Sequence, residues 1–148
     1  MAGAATDHLN LVIVTPAGSV TKTEVTELQA PGVLGEFGVL PGHIPFLSAI
    51  GAGVLTYVEA GKPRVLAVGP GYVEIGVGEA VVVLTESSAT PEEIDLEAAR
   101  QEEAAATGEL ARLSPVDQAA EYAHMSSVQA WARARREAVE RHRAGAAH

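Results

Sequence analysis

The side chains best suited to catalysis or metal binding are scattered along this 148-residue chain. None of the five histidines stands at His-x-His spacing, or four residues from another metal ligand on a helix, so the pattern predicts no metal site. Glu24 and Glu27 have odd spacing, which puts them on opposite faces of a predicted strand rather than in an acid–base pair. The serines lack the surroundings of a nucleophile elbow, and cysteine is absent. We therefore predict no catalytic residue.

One segment places a carboxylate and an imidazole among rigid, apolar neighbours. Residues 35–46 have the sequence GEFGVLPGHIPF, in which three glycines and two prolines restrict the backbone. Apolar residues exposed on a rigid loop favour protein docking over catalysis. Two alternatives stay open, a buried Ω-like loop that fills the end of a barrel and a small hydrolase or isomerase that uses Glu36 and His43.

Composition limits the possible partners and location. The net charge of −9 and a pI near 4.9 disfavour nucleic acid, because binding it requires neutralising phosphates. No apolar run reaches the roughly 18 residues of a membrane span. The first ten residues carry no basic start followed by an apolar stretch. We therefore expect a soluble, cytoplasmic protein, bacterial rather than imported into an organelle.

Residues 1–89 predict a β-sandwich or barrel domain. Short aliphatic and β-branched runs recur about every eight to twelve residues between turn signals, as in such folds. With aromatics at only 4%, the core must consist of Val, Leu, Ile and Ala. The predicted strands cover 9–14, 22–28, 53–58, 64–68, 71–75 and 80–84.

Residues 90–148 predict an antiparallel helix pair, with helices near 91–112 and 115–143. Thr90 and Ser114 each supply a capping hydroxyl before a proline and a following acid. Gly108 either ends the first helix or interrupts it. Because alanine buries little area, we expect the pair to dock weakly. The predicted apolar stripe of the second helix is Val116, Ala120, Ala123, Val128 and Trp131.

Charge is distributed unevenly along the helix pair. Acids outnumber bases in residues 90–121, and we interpret them as helix first turns or solvated faces, whereas arginines dominate residues 122–148. The arginines either complement the helix dipole on a solvated surface or form a basic surface for an acidic protein partner. They are Arg133, Arg135, Arg136, Arg141 and Arg143.

The 35–45 segment, GEFGVLPGHIP, resembles the signature of the epsilon subunit of F-type ATP synthases, the counterpart of the mitochondrial delta subunit. The GVL at 53–55 and the GPGYVE at 69–74 also resemble that family. The resemblance extends from residue 8 to about residue 143. It implies a β-sandwich of about ten strands followed by an antiparallel helix pair.

The resemblance implies a non-catalytic rotor subunit in the central stalk of a proton-translocating ATP synthase. The sandwich would contact the gamma subunit and the c ring, with the protein peripheral on the cytoplasmic face of the bacterial membrane. An unrelated β-sandwich binding module with a helical tail is the alternative. The implied contact loop comprises Glu36, Phe37, Gly38, Leu40, Pro41, Gly42, His43 and Pro45.

The resemblance also implies a regulatory helix pair. Its five arginines would meet acidic segments of the catalytic head, formed by the alpha and beta subunits, and block ATP hydrolysis. Some relatives bind ATP through an aliphatic-Asp-x-x-Arg-Ala motif, which aligns best with residues 96–101. Glu97 replaces the aspartate and Gln101 the alanine, and Arg100 is equally placed to pair with Glu97 or Glu103. No other cofactor is implied.

Overall fold

The computed structural model describes residues 7–146, so the ends of both predicted domains, and the start of the chain where a targeting segment would lie, fall outside it. A short 3₁₀ turn at Pro91–Glu93 separates the strands from the helices, which are α1 (Leu96–Arg112) and α2 (Ala119–Ala146). The strands are β1 (Leu9–Thr15), β2 (Gly18–Val25), β3 (Glu27–Gly32), β4 (Gly35–Val39), β5 (Phe46–Ile50), β6 (Gly53–Glu59), β7 (Lys62–Val68), β8 (Gly71–Ile75), β9 (Ala80–Thr85) and β10 (Ser88–Ala89).

The strands form one sheet that folds over a single aliphatic core. Their order is β10-β7-β6-β3-β5-β8-β9-β1-β2, with β4 paired to β3 outside that path. Every second residue of β1 points inward, and Leu9, Leu11 and Ile13 are buried. They pack with residues of the other layer such as Leu55 and Leu66. The predicted architecture, a β-sandwich followed by two helices, is confirmed.

Two sequence-based strand assignments are wrong. The predicted strand 22–28 is split at Thr26, where the chain leaves β1 as its pairing partner and joins β6. Val25 and Leu28 are both buried but three residues apart, so the period-two alternation of a single strand is broken at this bend, a signal that the assignment overlooked. The predicted loop 35–46 contains β4, which pairs with β3 from Leu28↔Val39 to Gly32↔Gly35. The loop itself spans residues 40–45.

The helix boundaries follow capping groups, although not all the predicted ones. Thr90 and Glu93 form a capping box around the 3₁₀ turn, and α1 begins later, where Asp95 accepts a hydrogen bond from the Ala98 N–H at 3.1 Å. Gly108 lies inside α1, so it does not end the helix. Ser114 accepts a hydrogen bond from the Asp117 N–H at 3.0 Å in the turn before α2.

α2 packs on the outer face of β6 and β7, and α1 packs chiefly on α2. Ala134 and Ala138 are buried against Val54 and Ala67, with Trp131 at the edge of this contact. The predicted apolar stripe is therefore wrong for its first half, since the sandwich contacts the C-terminal part of α2. Val116, Ala120 and Ala123 are exposed.

Candidate protein-docking surfaces

The loop at residues 40–45 is held rigidly at one end of the sandwich. Gly42 has a φ of +89°, which favours glycine, and its N–H donates to the Glu79 carboxylate at 2.8 Å. The His43 ring lies 4.8 Å from the Phe46 ring, which meets the edge of Phe37 at 5.7 Å. The loop conformation is therefore fixed by the β8–β9 turn on one side and by aromatic packing on the other.

The apolar side chains around this loop face outward. Ile44 is 73% exposed and Leu40 is 57% exposed, while Leu34 is fully exposed in the turn between β3 and β4, at the other end of β4. Large apolar side chains exposed in this number are typical of surfaces that bind another protein. The alternative of a buried loop filling a barrel end is wrong. We name this surface the docking edge, defined by Val33, Leu34, Leu40, Ile44 and Leu47.

Glu36 and His43 are engaged in contacts other than an acid–base pair. The His43 ring Nδ1 lies 2.8 Å from the Ile44 carbonyl oxygen. The Glu36 carboxylate lies 3.7 Å from Nη1 of Arg141, in the last turns of α2. The structure thus brings together two residues that the sequence assigned to separate surfaces. Gly38 is exposed in β4, while Pro41, Gly42 and Pro45 shape the loop beside it.

A second apolar surface runs across the outer face of β5, β8, β9 and β1, opposite the inward core. Ala49 pairs with Tyr72, Tyr72 with Leu84, and Leu84 with Val14, so these four residues form a row, here named the outer row. Tyr72 is 54% exposed and Leu84 48%. Sequence reasoning missed this row. The signal for it was the unbroken AVVVL run at 80–84. A strand with one solvent-exposed face alternates apolar and polar residues, so an unbroken apolar run indicates that both faces are apolar.

The five predicted basic residues lie on the C-terminal half of α2, and most meet acids. Arg133 and Arg136 both bind the Glu103 carboxylate, the Arg133 Nε at 3.1 Å. Arg135 pairs with Glu102, while Arg143 is exposed near the helix end. The interpretation of α1 acids as solvated is wrong for Glu103, whose side chain is 16% exposed. The hydrogen bond from Arg136 lowers the pKa of Glu103 and raises the pKa of Arg136 itself.

The residues aligned with the nucleotide motif lie on the surface of α1. Arg100 Nη1 is 3.9 Å from Glu97, one turn away, and its Nη2 is 3.5 Å from Glu140 of α2. Two carboxylates therefore compete with any phosphate for this guanidinium. ATP binding through Glu97 and Arg100 stays a prediction.

Residues 8–91 match the family model described as the beta-sandwich domain of the ATP synthase delta/epsilon chain. The ATP synthase epsilon chain of Geotalea uraniireducens is 43% identical over 111 residues, covering 75% of this chain and 80% of that relative. ATP synthase epsilon chain 2 of Syntrophotalea carbinolica is 42% identical over 119 residues, covering 80% and 84% respectively. This chain belongs to the ATP synthase delta/epsilon chain family. The family predicted from residues 35–45 is thereby confirmed.

Solved structures with the same fold come from ATP synthases. A chain in the mitochondrial ATP synthase OSCP/F1/c-ring structure of Euglena gracilis aligns with a TM-score of 0.70 at 21% identity, covering 100% of this chain and 86% of that chain. A chain in the central stalk/c-ring structure of Tetrahymena thermophila aligns with a TM-score of 0.60 at 11% identity, covering 88% and 98%. At these identities the likeness concerns the fold alone.

Membership in the delta/epsilon family decides between the alternatives. The chain is a non-catalytic accessory subunit of an ATP synthase, so a hydrolase or isomerase built on Glu36 and His43 is excluded, as is an unrelated binding module. Within residues 7–146, no three His, Asp or Glu side chains are grouped so as to hold a metal ion. Neither described helix combines the length and apolarity needed to span a bilayer.

Proposed function

We propose that this delta/epsilon family member is a central-stalk subunit that couples the catalytic head of a proton-translocating ATP synthase to its c ring through gamma. The observation that carries this proposal is the docking edge, whose exposed apolar side chains lie on the 40–45 loop, the β3–β4 turn and the start of β5. A stiff loop transmits torque with little displacement of one bound subunit relative to the other. The two solved structures with this fold, an OSCP/F1/c-ring assembly and a central stalk/c-ring assembly, support this role.

The docking edge is the proposed contact with the c ring. Leu40 and Ile44 supply apolar area, and Glu36 is an exposed acid of the adjoining strand β4, four residues before Leu40. An apolar centre beside one charged group gives both affinity and register at a protein interface. In this position the protein is peripheral on the cytoplasmic face of the bacterial membrane.

The outer row is the proposed contact with gamma. Tyr72 and Leu84 are large, exposed and adjacent in register, and such residues often anchor protein interfaces. α2 covers the outer face of β6 and β7 instead, so gamma and the compact helix pair do not compete for the same strands. This division leaves α2 free to move while the sandwich stays bound.

The C-terminal helices are the proposed restraint on ATP hydrolysis. The five arginines of α2 meet acidic segments of the catalytic alpha and beta subunits when the helices leave the sandwich. Alanine-rich packing on Val54 and Ala67 buries little area, so the docked and undocked states differ by a few kcal/mol. ATP is not part of this proposal because Arg100 already pairs with Glu97 and Glu140.

The proposal is tested by ATP-driven proton pumping in membrane vesicles whose ATP synthase carries this chain. The variant with Leu40→Asp and Ile44→Asp is expected to reduce pumping at least about tenfold while ATP hydrolysis continues, because charged side chains in an apolar contact stay undocked. Val116→Asp is the matched control, since Val116 is equally exposed but lies in the turn before α2. Normal pumping by the double variant would refute the assignment of the docking edge.

A further inference from the structure

Acids of α1 and arginines of α2 form a connected set of ion pairs between the two helices. Arg136 binds Glu103 in bidentate fashion, with Nη2 at 3.2 Å from Oε2 and Nε on the other carboxylate oxygen. Arg133 Nε donates to the same carboxylate at 3.1 Å, and Arg135 donates to Glu102. We name this set the clasp; it consists of Glu102, Glu103, Arg133, Arg135 and Arg136.

The clasp exists only while α1 and α2 lie side by side. Its pairs join residues 30 or 33 positions apart in sequence, so separating the helices breaks all of them together. The side chains of Glu103 and Arg135 are each 16% exposed, so water solvates their charges poorly. Arg136 also donates to Glu140 at 2.9 Å. The guanidinium groups of Arg135 and Arg136 are therefore engaged in the compact conformation, whereas Arg133 is 53% exposed and only its Nε is paired.

We infer that Glu102 and Glu103 take, within this chain, the place that an acidic partner surface would take on α2. The clasp thereby masks part of the basic surface, and it has to open before Arg135 and Arg136 can bind acidic segments elsewhere. This inference rests on the proposed function, in which α2 restrains hydrolysis. It deepens that function by naming an internal competitor for the same guanidinium groups.

The test compares two full-length variants that make the same chemical change on the same helix. Glu103→Gln weakens the clasp, whereas Glu109→Gln affects a pair with Arg112 inside α1. Binding of poly-L-glutamate is measured for each protein, together with inhibition of ATP hydrolysis by a catalytic head that contains gamma. We expect Glu103→Gln to bind and inhibit at about threefold to fivefold lower concentration, and Glu109→Gln to match the unaltered protein.

Binding of poly-L-glutamate tests the masking inference, and inhibition of ATP hydrolysis tests the inhibitory role proposed for α2. Unchanged or weaker poly-L-glutamate binding by Glu103→Gln would overturn the masking inference, whatever happens to hydrolysis. Tighter binding with no inhibition by any of the proteins would support masking and refute the restraint proposed for α2. Circular dichroism checks whether Glu103→Gln keeps its helix content. If helix is lost, the same two measurements are made on Glu102→Gln, which removes the partner of Arg135, and the masking inference is judged by the same criteria.

Discussion

Arg141 Nη1 lies 3.7 Å from the Glu36 carboxylate, and this pair joins the last turns of α2 to β4 beside the docking edge. Both side chains are about half exposed, at 44% and 51%, so water and salt screen their attraction. The pair nevertheless links two surfaces with different proposed partners. A c ring that recruits the Glu36 carboxylate would release Arg141 and with it one contact of the docked helix.

The Glu36–Arg141 pair is expected to stabilise helix docking only slightly. Glu36→Gln and Arg141→Gln should each speed amide hydrogen exchange in the last turns of α2, with a coupling of at most about 1 kcal/mol between them. The double variant should therefore exchange no faster than either single one. Arg143→Gln serves as control on the same helix. Strictly additive effects would mean that the two residues do not interact.

Enlarging the alanine interface should undock α2 without unfolding the sandwich. Ala138 is fully buried against the β6–β7 face, so Ala138→Leu overpacks it at a cost of about 1–3 kcal/mol. We expect fast hydrogen exchange in α2 with protection of the β1 and β9 amides retained. Ala123→Leu adds the same side chain at an exposed site of α2 and should change nothing. Equal protection of α2 in both variants would contradict this packing.

Gly71 is expected to tolerate no side chain. A Cβ there would lie 1.8 Å from the Leu84 carbonyl oxygen, a backbone atom that cannot move away alone. Gly71→Ala should therefore lower the free energy of unfolding, measured by thermal or urea unfolding, by about 1–3 kcal/mol. Gly108→Ala meets open space inside α1 and should stabilise that helix by about 0.5–1 kcal/mol. A neutral Gly71→Ala would show that β8 and β9 are further apart.

Acid should loosen the clasp. The pKa of Glu103 is lowered in the folded protein, chiefly by the Arg136 hydrogen bond, so its stabilising contribution is complete above the unfolded value of about 4.3. That contribution is lost as pH falls through the lower, folded pKa. The rate of α1 hydrogen exchange, divided by the intrinsic rate of an unprotected amide at the same pH, is therefore expected to rise on going from pH 5 toward pH 3. In Glu103→Gln, this part of the rise should be missing; an identical pH dependence in both proteins would exclude Glu103 as its source.

The 40–45 loop with its exposed Leu40 and Ile44 was predictable because its determinants are local, whereas the exposed Val33, Leu34 and Leu47 were not predicted. Gly42 and Pro41 shape the loop by their own backbone preferences, and the 35–45 segment identified the family from sequence. The Glu79 carboxylate that holds the Gly42 N–H was not predictable, since it lies 37 residues away. The positive φ at Glu79, +67°, was not predictable either, because glutamate rarely adopts this conformation.

The sequence by itself determined the order of strands then helices, the arginine-rich end of α2 and the family, because periodicity, capping groups and a contiguous motif are all local. Tertiary structure alone decided which strands pair and that Glu103 meets Arg133 and Arg136. The tertiary structure also decides which faces of the sheet remain exposed, such as the face that carries Tyr72 and Leu84. These features depend on contacts between residues far apart in the chain, and the burial that stabilises such contacts exists only after the layers and helices have packed.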